Sequence, residues 1–528
     1  MKRFYVERKV DKKVLLIGLD GTTWKVIKPW VDWGFLPTLQ TLMENGTWGV
    51  LESTIPCLSS PAIPSFFTGK NPAKLGFFDF VKPDGTLVSY RDIKEPAIWD
   101  ILGDYGYKSM VVNVRTTYPP KKINGIMISG MPPSEESEYT YPPDLKKKVD
   151  GFHLENGEFR RLWRAKIFSE RLLSLYVQRM RRRYEIVKSL VEEKDYDFIL
   201  YWIEGTDSIQ HWYWHQKEAL LLFFREVDKI LGDLVKTFPN RELFLISDHG
   251  FHGPATYDFY VNSWLQDEGY LKLRGGKLRQ WLTYKVYSWV GSRLGRILYK
   301  FLRPLKLNQK KVTLPKNEEE PRLPQKENIY FLWGINPDDT VAVANGTNPP
   351  GIMIIKENLT QEQDYEKIRE EIINKLNHLT IDGKKVMQNA WKREDIFHGR
   401  YISQVPDIVY LASEDLNATS ALSKNALRKR KKIGPIGSHD RAREGIFLAY
   451  GRDVKQGMKL GEANITDIAP TILHLYNVPV PEDMDGRVLK EIFKEDSEAS
   501  QRPVRYQRVS EKERLRAKIR KLKALKNV

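Results

Sequence analysis

The chain has 528 residues, with 85 Lys and Arg against 68 Asp and Glu, a formal charge of +17, and 41% hydrophobic and 12% aromatic residues. One hydrophobic core usually serves no more than about 250–300 residues, so a large domain with insertions or two to three ordinary domains are expected. The single cysteine, Cys57, excludes an intrachain disulfide scaffold and a thiolate metal cluster; any metal must use His and carboxylates, and a reducing compartment is expected.

The chain opens with a charged stretch, Met1 to Lys13, followed by the apolar run Val14–Leu19, which is too short for a signal-peptide core and ends at Asp20. It predicts a buried strand of parallel type with a functional loop, Asp20-Gly21, at its carboxyl end. Ser53 to Gly69 is rich in hydroxyls and prolines. At a helix start, a serine there lies among unpaired backbone N–H groups suited to phosphate, the plain alternative being an ordinary helix cap. Further buried strands are predicted at Ser109–Asn113, Phe198–Trp202, Leu243–Ile246 and Asp407–Leu411, with helical patterns at Tyr184–Glu193 and Tyr365–Leu379 between them. Strands alternating with helices predict an α/β fold with a mostly parallel sheet covered on both faces. Asp20, Asp207 and the pair Asp248-His249 follow such strands, where open α/β sheets place their sites.

From Asn262 the α/β rhythm gives way to basic aromatic segments and then a Lys/Glu/Pro-rich linker, Leu314 to Asn328. The predicted organisation is a first core part at 1–261, a basic aromatic insertion or cap at 262–328, a second core part at 329–495, and a basic helix or tail at 496–528. Three segments, 160–183, 274–311 and 501–528, carry more positive charge than the whole chain, so the remaining body is acidic. Nucleic-acid binding is therefore not expected, and no recognised nucleic-acid motif accompanies the basic segments. Residues 277–307 place Trp281, Trp289, Leu294 and Phe301 among Lys285, Arg293, Arg296 and Lys300. That pattern suits a helix lying in an anionic membrane interface, or a cap helix with a solvated basic face. No apolar stretch reaches the roughly 18–20 residues needed to span a bilayer. A cytoplasmic protein, peripheral on the membrane through these segments, is the expectation; the oligomeric state is left open.

Six residues can supply a two-metal site without sulfur: Asp20, Asp207, His211, Asp248, His249 and His439. Asp207 and His211 are four apart and share a face if helical. Asp248-His249-Gly250 follows an apolar strand, and Gly437-Ser-His439 precedes another, Gly445–Ala449. Taken singly, each has a plain alternative as a helix cap or a satisfied polar group.

Taken in order, Asp20-Gly, Ser59 ahead of Thr68-Gly-Lys-Asn-Pro, Asp207-x-x-x-His211, Ser247-Asp-His-Gly250 and Gly437-Ser-His439 resemble the alkaline phosphatase superfamily, in particular the prokaryotic branch of its type I phosphodiesterase/nucleotide pyrophosphatase family. Asp467-Ile-Ala-Pro-Thr-Ile-Leu-His474 and Pro481-Glu-Asp-Met-Asp-Gly486 resemble its C-terminal signature. The resemblance implies an alkaline-phosphatase-like three-layer αβα sandwich with an inserted helical cap. It also implies two divalent ions, zinc or alternatively manganese, one held by Asp20, Asp248, His249 and the hydroxyl of Ser59, the other by Asp207, His211 and His439. Ser59 is then the nucleophile that becomes phosphoseryl, although Ser60 adjoins it and a slip of one residue exchanges them. The activity implied is hydrolysis of phosphodiester or pyrophosphate bonds in a nucleotide, nucleotide-sugar or lipid headgroup. The alternatives are a phosphomonoesterase or phosphomutase of the superfamily, or a catalytically silent membrane-surface scaffold. Three departures stand out: Ser59 stands where the nucleophile of nucleotide pyrophosphatases is usually Thr, Lys74-Leu-Gly76 replaces the usual Lys-His-Gly, and Gly76–Phe80 offers no equivalent of the phosphate-contacting Asn, so oxyanion stabilisation is expected to fall to metals and backbone.

Overall fold

The computed structural model describes residues 10–82, 86–131, 134, 136–153, 157–276, 280, 334–344, 348–360, 364–430 and 436–508. The six apolar residues Val14–Leu19 form β1, and none of their side chains keeps more than 2% of its exposure. β1 can be this apolar because both faces of its sheet are covered: Val14 and Leu16 enter one hydrophobic core, and Leu15, Ile17 and Leu19 enter the other. The same alternation governs Phe198–Ile203, where Phe198, Leu200 and Trp202 face the first core and Ile199, Tyr201 and Ile203 the second.

Further strands of this sheet are β2 (Thr47–Glu52), β3 (Ser109–Val114), β4 (Gly125–Ser129), β5 (Thr140–Tyr141), β6 (Phe198–Ile203) and β7 (Glu242–Ile246). β7, β1, β6, β3 and β4 are neighbours in that order and all parallel. The strand Glu444–Tyr450 pairs antiparallel with both β7 and β2, and β5 antiparallel with β4. The central sheet is thus mostly parallel, and the carboxyl ends of β1, β3, β6 and β7 lie along one edge. Gly18 is required within β1: a Cβ there would sit 2.0 Å from the ring of Trp202, its partner in register on β6.

The chain divides into two compact units, the first made of the described residues up to His252 and from 436 onward, the second of those from Gly253 to 430. The described residues of 253–261 and of 334–430, which the sequence reading places in the core parts, group in the second unit. The physical reason is that this stretch builds its own sheets and core. The predicted strand at Asp407–Leu411 appears as Ile408–Ala412, but in a separate antiparallel sheet with Met387–Lys392, Gly351–Ile354 and Ala342–Ala344. The helix Tyr365–His378 contributes Ile368, Ile372 and Leu376 to that unit's apolar core. The basic aromatic stripe expected over 277–307 lies outside the described residues except for Gln280, as does the tail beyond Arg508. Among the described residues, no helix is long and apolar enough to cross a membrane.

Candidate active site

Three strand ends, a helix start and a loop supply the site. Asp20 follows β1, and Gly21 turns the chain in the left-handed region, φ +63°. Asp207 and His211 stand on the helix Thr206–Tyr213, which starts three residues after β6. Asp248 and His249 follow β7. Hydrogen bonds lock these loops together: Gly21 N donates to Asp248 Oδ1 (3.1 Å), Thr22 N to Ser247 Oγ (2.8 Å), Thr206 Oγ1 to Asp20 O (2.7 Å) and Gln210 Nε2 to Gly21 O (2.7 Å). Ser59 is the first residue of the helix Ser59–Thr68. His439 reaches the same place from the loop that precedes the strand Glu444–Tyr450.

All seven residues singled out from the sequence as ligands or nucleophile are brought together. Ser59 Oγ lies 3.3 Å from His249 Nε2 and donates toward Asp20 Oδ1 at 3.4 Å. Its neighbour Ser60 points elsewhere and donates to Asp79 O at 2.7 Å. His211 Nε2 is 3.3 Å and His439 Nε2 3.9 Å from Asp207 Oδ1; His249 Nε2 is 3.6 Å from Asp20 Oδ1 and 3.5 Å from Asp248 Oδ2.

The backbone fixes the state of the three imidazoles. His211 Nδ1 is 2.8 Å from Gly437 O, His249 Nδ1 2.9 Å from Gly250 O, and His439 Nδ1 2.9 Å from Cys57 O. A carbonyl only accepts, so each Nδ1 carries the proton, and in the neutral ring each Nε2 turns a lone pair toward the carboxylates. Lone pair against lone pair at such distances is repulsive unless a proton or a cation sits between them. Asp207 Oδ1 and Asp248 Oδ2 are also buried without a hydrogen-bond donor, a costly arrangement for carboxylates, and Asp20 Oδ2 faces only an ion pair with Arg115. Gly21 keeps the cradle open: a Cβ there would lie 3.2 Å from Asp207 Oδ1 and from His249 Cε1. Nitrogen and oxygen donors with these orphaned lone pairs fit divalent metal ions. Ligand atoms of Asp20, Asp248 and His249 lie within 4.8 Å of one another, as do those of Asp207, His249 and His439, so His249 stands at the junction of the two groups.

Burial and mutual repulsion shape the titration of the metal-free site. Burial, reinforced by Asp207, pushes Asp248 up to about 6. Burial also raises Asp20, with Asp248 and Asp207 adding to it and Arg115 opposing. Asp207 is desolvated too, but the facing His211 and His439 outweigh that and hold it well below the usual carboxylate range. Burial and the neighbouring His249 press His439 down to about 4, and burial lowers His249, so both favour the neutral form that can coordinate.

Arg115 was not anticipated from the sequence. It follows β3, its Nε lies 2.9 Å from Asp20 Oδ2, and its Nη2 lies 3.9 Å from Asp207 Oδ2. Burial disfavours its charge, and the attraction of Asp20, Asp207 and Asp248 more than offsets this. Asn113 and Thr116 flank it at φ 62° and 66°; non-glycine residues held in that region cost about 1–3 kcal/mol each and cluster at functional sites. The available signal was its position: the first charged residue after an apolar strand.

The sequence profile of a family described as type I phosphodiesterase / nucleotide pyrophosphatase matches residues 14–440. No curated protein sequence matches the chain. Among solved structures, human ectonucleotide pyrophosphatase / phosphodiesterase 5 is similar over 92% of this chain and 100% of its own, at 15% identity and a TM-score of 0.48. The murine protein, solved as an inactive variant in complex with AMP, shows 14% identity, a TM-score of 0.47 and the same two coverages. Phosphonoacetate hydrolase from Sinorhizobium meliloti 1021, in complex with phosphonoformate, is similar over 87% of this chain and 94% of its own, at 15% identity and a TM-score of 0.48.

Proposed function

The chain belongs to the type I phosphodiesterase/nucleotide pyrophosphatase family, and from that premise we propose that it hydrolyses phosphodiester or pyrophosphate bonds through a phosphoseryl intermediate on Ser59. The observation that carries this reading is the convergence of three imidazole Nε2 lone pairs and three buried aspartate carboxylates beside one serine hydroxyl. Asp20, Asp248 and His249, with Ser59, would hold one divalent ion, and Asp207, His211 and His439 the other; zinc and manganese both suit such donors. Ions bound there supply Lewis acidity to phosphoryl oxygens and lower the pKa of a coordinated hydroxyl or water.

The protein's own groups do the rest. Ser59 Oγ points at Asp20 and His249, the groups that would hold the ion beside it, and its proton passes to solvent as the hydroxyl attacks. As the first residue of a ten-residue helix, Ser59 also presents a phosphoryl group to unpaired backbone N–H groups. Oγ forms a bond to phosphorus while the ester or anhydride oxygen on the opposite side departs with its electron pair and takes up a proton. Water then attacks the phosphoserine, releasing phosphate or a phosphomonoester and returning the hydroxyl. The peptide carbonyls that hold each Nδ1–H keep the three Nε2 atoms aimed inward throughout.

The test is an acid-quenched turnover of bis-p-nitrophenyl phosphate by metal-loaded protein, followed by peptide mass spectrometry. A phosphorylated peptide mapped to Ser59, absent after chelation, supports the reading. Steady turnover by Ser59→Ala at the wild-type rate would overturn it.

A further inference from the structure

His439 stands on a loop that the sequence joins to the rest of the site only by a long detour. The chain enters the second unit directly after His252 and comes back shortly before Gly437. What holds the loop is a set of cross-links to the segment Gly250–His252, which directly follows Asp248-His249 of the other donor group. His252 N donates to Ser438 O at 2.8 Å, Ser438 N to His252 O at 2.9 Å, and Gly250 N to Ala442 O at 2.8 Å. Phe251 is 1% exposed and packs its ring against His211 and His439, with centroids 4.8 and 6.0 Å away. The residues after one pair of ligands thus shape the surroundings of the other ion's imidazoles.

His252 belongs to neither ligand set, yet it is 4% exposed, and a buried imidazole needs polar surroundings. Its Nε2 lies 3.3 Å from Oδ1 of Asp440, the residue next to His439. Ser438 Oγ donates to the same Oδ1 at 2.6 Å, and Arg441 Nη1 donates to Oδ2 at 3.1 Å. The Asp440 side chain keeps 48% of its exposure, so water could have solvated it; an ion pair this open adds little to global stability. What the pair does fix is the direction of the adjoining residue. Cys57 O restrains the His439 ring through Nδ1, and the pair restrains the backbone from which that ring hangs. Groups that aim a metal-binding imidazole typically matter about 10- to 100-fold in metal affinity.

We propose that His252 and Asp440 are positioning residues for the ion assigned to Asp207, His211 and His439: together they clamp the loop so that His439 Nε2 stays aimed at Asp207. This rests on the two-ion reading above and deepens it, because the clamp ties the chain that bears Asp248 and His249 to the chain that bears His439.

The experiment strips the full-length protein with chelator and titrates it with zinc by calorimetry. Wild type is compared with His252→Phe, Asp440→Ala, their double variant and Asp440→Asn. Urea unfolding in chelator and kcat and KM on bis-p-nitrophenyl phosphate at rising zinc accompany the titrations. In each single variant one ion is expected to bind at wild-type affinity and the other about 10- to 100-fold more weakly. The double variant should be no weaker than either single one, since the two side chains act as a unit. Asp440→Asn keeps an acceptor oxygen and nearly the same shape, guards against misfolding, and recovers part of the loss. At saturating zinc kcat returns while KM for the ester stays unchanged. Wild-type affinity for both ions in Asp440→Ala and His252→Phe would overturn the proposal, as would additive losses in the double variant. Equal weakening of both ions together with a lowered urea midpoint would also overturn it, leaving the pair a merely structural role. Failure of the parent reading shows separately, as wild-type protein that takes up no divalent ion.

Discussion

A carboxylate kept for a metal is a burden on the metal-free fold, and Asp248 lets that burden be measured. In the absence of metal, burial raises its pKa from 3.8 to about 6. A carboxyl whose folded pKa exceeds its unfolded value destabilises the fold fully above the folded pKa and not at all below the unfolded one. The shift corresponds to about 3 kcal/mol at neutral pH, at about 1.36 kcal/mol per unit. Asp248→Asn removes the charge and keeps the shape, and its amide oxygen can still accept from Gly21 N. In chelator, the variant is expected to exceed wild type by about 3 kcal/mol in urea unfolding near pH 7.5, the gain shrinking as pH falls through about 6 and vanishing near pH 4. The same substitution should abolish metal-dependent turnover. A variant less stable than wild type in chelator at neutral pH, or a difference that does not change with pH, would refute the electrostatic account of the site.

Ser59→Ala is expected to lose turnover by three orders of magnitude or more while retaining its metal, whereas Ser60→Ala loses only the bond to Asp79 O, about 1 kcal/mol of stability; steady-state kinetics beside urea unfolding separates the two. Gly18→Ala drives a methyl into the Trp202 ring and should cost about 3 kcal/mol or more through overpacking, read by thermal unfolding; a neutral result would contradict the packing of β1 on β6. The membrane expectation can be tested on a described surface. On and just after the helix Gly157–Ala165, Trp163 and Ile167 are 45% and 50% exposed among the exposed Arg160, Arg161, Arg164 and Lys166. We propose that this face meets anionic bilayers, so sedimentation with anionic vesicles should fall with salt and with Trp163→Ser; equal sedimentation with neutral and anionic lipid would defeat it.

Much of the site was legible because its chemistry sits where apolar runs stop. Asp20 after Val14–Leu19 and Asp248-His249 after Leu243–Ile246 are marked by an abrupt change from apolar to charged residues, and the spacing of Asp207 and His211 already implied one helical face. Arg115 escaped because an arginine before Thr-Thr-Tyr-Pro-Pro belongs to no motif, and its role depends on β3 lying beside β6, which only three-dimensional pairing decides. The choice between Ser59 and Ser60 depended on which hydroxyl turns inward from a helix start, a matter of phase that composition does not carry. The second unit was hidden for a related reason. Ile408–Ala412 is as apolar as any strand of the main sheet, and an apolar run announces burial without naming its partner. Its neighbours turned out to be Gly351–Ile354 and Met387–Lys392.

The most direct test is an anomalous difference map, recorded at the metal absorption edge from crystals of the metal-loaded protein. Two peaks are predicted, one bounded by Asp20, Asp248, His249 and Ser59, the other by Asp207, His211 and His439. A map with no peak among these seven residues, from protein that hydrolyses phosphate esters, would contradict the account.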